Sequence, residues 1–150
     1  MSFVTIVTGS SQGIGAATAK LLARQGHSLL IHYATRSDLA EQVASACREL
    51  GSPQVVVAQA DLATEAGVLS LFKAADHSLP NITGLVNNAG IVDLASPLTT
   101  MTHDRLTRMM QINVVSPMLC ARETLLRFTD RKSTRLNSSH SQQSRMPSSA

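Results

Sequence analysis

The stretch TGSSQGIG, residues 8 to 15, carries three glycines in a GxxxGxG spacing between an apolar β-branched run and a helix-like segment. Such a turn suits a phosphate. Gly9 permits a tight reversal, Gly13 lets the backbone approach a pyrophosphate, and Gly15 lets helix and strand pack closely. The free N–H groups and dipole of the following helix then face the anion. The first gap is one residue longer than in the usual dinucleotide fingerprint, and no GK[ST] follows, which disfavours a nucleoside triphosphate loop. Taken alone, the motif also fits a glycine-rich turn with no ligand. Other reactive groups are sparse. His27, His32, His77, His103 and His140 form no HxxxH or HExxH, and there is no GxSxG elbow. Cys47 and Cys120 stand apart, without a CxxC or a Cys/His pair at ligand spacing, so no metal site is expected.

The elements that must position the turn follow a regular alternation. FVTIVT (3–8), HSLLIHY (27–33), QVVVAQAD (54–61) and ITGLVN (82–87) read as strands, three of them bracketed by helix-like segments. Ala16, Ala19, Leu22 and Ala23 recur at helical spacing before Gly26, and SDLAEQVASACREL has a polar start and Gly51 after its last turn. From Thr64 to about Ser78, Val68, Leu69, Leu71 and Phe72 give a third helix an apolar face. Thr102 is expected to cap a fourth helix running to about Phe128 and interrupted near Pro117. Met101, Met109, Met110 and Met118 along it suggest core or subunit packing. The fold class is therefore α/β, a Rossmann-like doubly wound parallel sheet with right-handed crossovers, expected to be truncated after the fourth strand and fourth helix.

TGSSQGIG (8–15), DL (61–62), NNAG (87–90) and QINV (111–114) together resemble the short-chain dehydrogenase/reductase family, in the right order and spacing over residues 3 to about 128. The resemblance implies that the glycine turn holds a cofactor's phosphates, with Ser11, Gln12 and Ile14 at contacting positions. Asp61 and Leu62 would lie against the adenine end, and Asn88, Ala89 and Gly90 along the ribose, with the Asn pair tying neighbouring strands together. A carboxylate ending a strand can accept from the adenine amino group, although a turn or capping Asp fits position 61 as well. Tyr33 stands near where an NAD-preferring site would place an acid, and Arg36 follows; a guanidinium grips a 2′-phosphate with paired hydrogen bonds. NADP(H) is thus favoured over NAD(H). Gln12, where many NADP-linked relatives carry a basic residue, argues the other way, and Arg36 also reads as an ordinary solvated cation. Asp38 reads as a first-turn helix acid.

The reaction implied is reversible hydride transfer between a nicotinamide and a carbonyl or secondary alcohol, as in the similar 3-oxoacyl carrier-protein reductase and glucose dehydrogenase branches. Asn113 matches the family's Asn that supports a proton-relay water; a helix-interior Asn bonded to backbone is the plainer alternative. The family's Tyr, the Lys one helical turn later, and the Ser that orients the carbonyl have no counterparts. Tyr33 is the only tyrosine, and no YxxxK occurs. A phenol with a pKa of about 10 needs such a neighbouring cation near neutral pH.

The net charge of +3 comes from the end of the chain. Arg131, Lys132, Arg135 and Arg145 are four of the 13 basic residues, leaving nine against 10 acids in residues 1–130, a net of −1. Four scattered cations make a poor phosphate-tracking arm, so no nucleic-acid partner is expected. No apolar run reaches the roughly 18 residues needed to span a bilayer. A strand-like N-terminus without a basic leader points to the cytoplasm. From Arg131 onward 7 of 20 residues are Ser, without helical or strand periodicity. Residues 1–129 are accordingly expected to form an incomplete NAD(P)-binding domain, and 130–150 a non-native or disordered tail. The parent would be a homo-oligomer, dimer or tetramer, acting on a small carbonyl or alcohol, while the 150-residue chain would be inactive. A non-catalytic NADP(H)-binding module and an S-adenosylmethionine-dependent transferase are the alternatives.

Overall fold

The computed structural model describes residues 3–140, with side chains as far as residue 128. Four strands, β1 (Val4–Val7), β2 (Ser28–Tyr33), β3 (Val55–Gln59) and β4 (Gly84–Val86), are all parallel and hydrogen-bonded in the order β3-β2-β1-β4. They alternate with α1 (Gly13–Arg24), α2 (Ser37–Glu49) and α3 (Glu65–Ser78), and α4 (His103–Met110) and α5 (Ser116–His140) follow β4.

Successive side chains of a strand point to opposite faces, so continuous apolar strands require cover on both. Val4, Ile6 and Leu30 pack on Val68, Leu71, Phe72 and Ala75 of α3 and on Cys120 of α5. Val7, Leu29 and Ile31 pack on Ala16, Ala19 and Ala23 of α1 and on Ala40, Val43 and Ala44 of α2. The alanines bring α1 and α2 close to the sheet. Leu69, expected on the buried face of α3, is 45% exposed, and Ala75 takes its place. On the α3 side, Arg122 bridges Glu65 (2.7 Å) and Glu123 (3.0 Å), and Arg127 bridges Asp76 (2.5 Å) and Glu123 (3.1 Å). The Arg127 guanidinium also lies 4.8 Å from the centre of the Phe72 ring. This network seats α5 across α3.

The interruption expected near Pro117 is a π turn just before it. α4 ends at Met110, Gln111–Val115 forms a π turn, and Pro117 falls in the first turn of α5. A proline costs least in a first turn, where its missing N–H has no ladder partner to lose; the wide π turn absorbs the change of register just before it. Thr102 caps α4, its Oγ1 accepting from Arg105 N. Met110 and Met118 are 57% and 68% exposed, not packed in the core. α5 runs past Phe128 to His140 because no glycine or proline lies between Pro117 and Pro147 to stop it. The change of composition near residue 130 therefore does not coincide with a helix end, and residues 141–150 of the expected tail lie outside the described residues.

From β1 the chain moves to β2 and β3 on one side and returns to β4 on the other. The crevice at the carboxyl ends of β1 and β4 is thus the topological switch point, where open α/β sheets bind ligands.

Candidate functional site

The glycine turn lies at that switch point. Gly9 and Gly13 have φ of 61° and 58°, in the left-handed region. A Cβ on Gly9 would come within 2.8 Å of Ala89 Cα, and one on Gly15 would run into Asn88 Nδ2 and the Gly9 carbonyl. At Gly13 nothing stands within 4 Å, so the backbone there borders open space. α1 starts at this point with Gln12 as its N-cap, no capping side chain and no acid in its first turn. By contrast, α3 and α4 are each capped by a threonine hydroxyl, Thr64 and Thr102. The first N–H groups of α1 therefore present an unsatisfied positive end.

NNAG is fastened beneath this turn. Thr8 Oγ1 accepts from the backbone N–H groups of Asn88 and Ala89, both at 3.0 Å, and donates to Val86 O at 3.3 Å. Asn88 Nδ2 donates to Thr8 O (3.0 Å) and Gly9 O (2.9 Å). Asn88 thus joins the end of β4 to β1, whereas Asn87 Nδ2 donates to Pro117 O of α5 (3.0 Å), a helix rather than a strand. Asn113, in the π turn, faces Ile91: its Oδ1 accepts from Ile91 N and its Nδ2 donates to Ile91 O, both at 2.8 Å. Two reciprocal bonds to one residue fix the chain just after NNAG. Further along that loop, Arg105 Nε donates to Asp93 Oδ2 at 2.6 Å, and this holds the Asp93 carboxyl below the usual range.

At the other end of the crevice, Asp61 follows β3, with Oδ1 accepting from Ala63 N at 3.0 Å. One oxygen thus serves a turn, as the plainer alternative anticipated, while the exposed residue borders the cleft. Leu62 is 5% exposed. Tyr33 ends β2 and Arg36 is the N-cap residue of α2. Arg36 grips Asp38 with two bonds, Nε to Oδ1 (3.0 Å) and a terminal nitrogen to Oδ2 (2.8 Å). The hydrogen bonds from Arg36 take the Asp38 carboxyl down to about 2.

These elements enclose a cleft of about 460 Å³ lined by every expected cofactor residue except Gly15. Gly15 lies underneath, as its packing demands, and Asn113, exposed and bonded to Ile91, is not brought into the lining. Arg108 and Ile112 also line the cleft, brought there by α4 and the π turn; Ile112 lies within the QINV motif, whereas nothing in the sequence around Arg108 signals it. Thr8 is 1% exposed and its role was readable only as the residue before Gly9. His32, 3% exposed, lines the cleft as well. Among the described residues no group of His, Cys, Asp or Glu could hold a metal ion, and no helix is long and apolar enough to cross a membrane.

A family model described as short chain dehydrogenase matches residues 3–150. An uncharacterized oxidoreductase of Escherichia coli is 36% identical over 125 residues, covering 83% of this chain and 50% of its own. The chloroplastic NADPH-dependent aldehyde reductase 2 of Arabidopsis thaliana is 36% identical over 136 residues, with the same coverage of 83% and 50%. Among solved structures, a blue fluorescent protein from a metagenomic library in complex with NADPH superposes with a TM-score of 0.77 at 34% identity, over 83% of this chain and 50% of that one. The chain spans about half the length of the curated relatives it matches.

Proposed function

The chain belongs to the short chain dehydrogenase family of oxidoreductases, and on that premise we propose that it forms the NADP(H)-binding half of an enzyme that moves hydride between a nicotinamide and a carbonyl or secondary alcohol. The observation that carries the reading is the uncapped N-terminus of α1 beside the open space at Gly13. A diphosphate fits there: the backbone can approach it, N–H groups point at it, and no acid opposes it.

Asp61 keeps one carboxylate oxygen without a backbone bond, for the adenine amino group, and Leu62 and Ile112 provide apolar walls of the same cleft. Asn88, Ala89 and Gly90 offer backbone to the ribose, at a height set by Thr8. Arg36 is the group for a 2′-phosphate, its fork, which holds Asp38 with two bonds, being suited to a bidentate anion. A relative described as NADPH-dependent and a neighbour solved with NADPH support the choice of NADP(H). When bound, the nicotinamide supplies or accepts the hydride. Asn113 contributes by fixing Ile91, and so the wall beyond Gly90. Tyr33 sits at the Arg36 end, and with no YxxxK in the sequence the 150 residues bind cofactor without turning it over.

The test is a fluorescence titration of the purified chain with NADPH, NADH and S-adenosylmethionine, followed by NADPH oxidation assays with a carbonyl panel. Saturable binding of NADPH, tighter than NADH, with no carbonyl-dependent oxidation is expected. Preference for S-adenosylmethionine would overturn the cofactor assignment, and turnover would overturn the inactivity.

A further inference from the structure

His32 is a buried titratable side chain that the cofactor reading leaves without a role. Its ring bridges the loops that follow β1 and β3. Gly9 N donates to Nδ1 at 2.9 Å, and Nε2 lies 3.0 Å from Ala60 O. A backbone N–H can only donate and a carbonyl can only accept, so Nδ1 is bare and Nε2 carries the proton: the ring is neutral, in one tautomer. The surrounding backbone is equally tied. Ser10 N donates to His32 O (3.0 Å), His32 N donates to Ser10 Oγ (3.0 Å), and Ser10 Oγ donates to Val7 O (2.7 Å).

We propose that His32 is a positioning residue for the nucleotide cleft: its neutral imidazole sets the glycine turn, through Gly9, at a fixed distance from the end of β3, through Ala60, so that the phosphate and adenine ends of one ligand are met together. The inference rests on the cofactor reading above. Ala60 immediately precedes Asp61, so one ring links the two ends of the cleft. The turn has little freedom on its far side, where a Cβ at Gly9 would already touch Ala89. A second proton on the ring would set Nδ1–H against Gly9 N–H and push the turn toward the open cleft. The charged or titratable side chains around that cleft are Asp61 after β3, Tyr33 at the end of β2, Arg36 after it, and Arg108 from α4; the first turn of α1 contributes no acid, and NNAG none. Burial lowers the His32 pKa from 6.5 and outweighs the Ala60 bond, which raises it. The neutral ring is therefore intact at neutral pH and is lost only as pH falls below its ordinary range.

The experiment measures NADPH affinity from about pH 8 to about pH 5 for the unsubstituted chain, His32→Asn and His32→Leu, with thermal melts of each. Asn can accept from Gly9 N–H but does not titrate; Leu does neither. At pH near 8, His32→Asn is expected within about threefold of the unsubstituted chain and His32→Leu weaker by about tenfold. The affinity ratio of the unsubstituted chain to His32→Asn, which cancels titration of the ligand, is expected to fall with pH. A flat ratio, or undiminished binding by folded His32→Leu, overturns the proposal; if His32→Leu does not fold, the ratio decides. Absence of NADPH binding by the unsubstituted chain overturns the cofactor reading itself, and this inference with it.

Discussion

Thr8→Val is nearly isosteric and removes a single oxygen, yet the structure assigns it a large cost. Oγ1 is the acceptor for two backbone N–H groups, those of Asn88 and Ala89, each at 3.0 Å, and Thr8 is 1% exposed. A methyl in that place leaves both donors facing carbon, on half-buried residues that border the cleft. Each unsatisfied buried donor costs about 1–3 kcal/mol, which brackets the loss at roughly 2–6 kcal/mol. Partial relaxation of the NNAG loop places the expectation near the lower half, about 3 kcal/mol. The weak donation to Val86 O (3.3 Å) adds little, because that carbonyl still accepts Thr8 N at 3.0 Å. Against a typical total of about 5–15 kcal/mol the loss is severe. In urea, with a slope of about 2 kcal/mol per molar, the midpoint falls by roughly 1.5 M. Thr8→Ser keeps the oxygen and loses a methyl, so about 1 kcal/mol is expected. A Thr8→Val midpoint unchanged at constant slope would refute the reasoning, as would Thr8→Ser being equally damaging.

Two glycine substitutions should separate packing from ligand space. Gly15→Ala drives a methyl into Asn88 and the Gly9 carbonyl, and is expected to lower stability by about 3 kcal/mol whether or not ligand is present, read by denaturation. Gly13→Ala costs only the left-handed backbone strain, about 1–2 kcal/mol, but places its methyl in the space proposed for the diphosphate; an undiminished NADPH affinity there would argue that the phosphates lie elsewhere. Asp38→Asn releases Arg36 from a carboxylate that is ionised at all pH values above about 2. NADPH should then bind about two- to fivefold tighter with NADH unchanged, measured by calorimetry, since an exposed pair opposes a competing anion only modestly. Equal gains for both nucleotides would show that Arg36 does not meet the 2′-phosphate.

The order of elements and the glycine turn belong to the sequence because both arise from neighbouring residues. Apolar runs such as FVTIVT must be buried on both faces, and the spacing of Gly9, Gly13 and Gly15 describes one turn and one helix start. The residues expected to line a cofactor site are likewise short local motifs, and the cleft gathers all of them but Gly15. What local pattern could not supply is the partner of each side chain across the sheet. Asp38 is no such case: it is the acid in the first turn of α2, and its bidentate pairing with Arg36, two residues away, is local. His32 was one apolar-strand residue among several until β1, β2 and β3 placed Gly9 N and Ala60 O on its two nitrogens. Asn113 carried a family motif, yet its bonds to Ile91 depend on the π turn, which the helical periodicity did not reveal. Turns and strands are decided by forces acting within a few residues; a hydrogen bond spanning some 80 residues, as between Thr8 and Asn88, exists only once the sheet has closed.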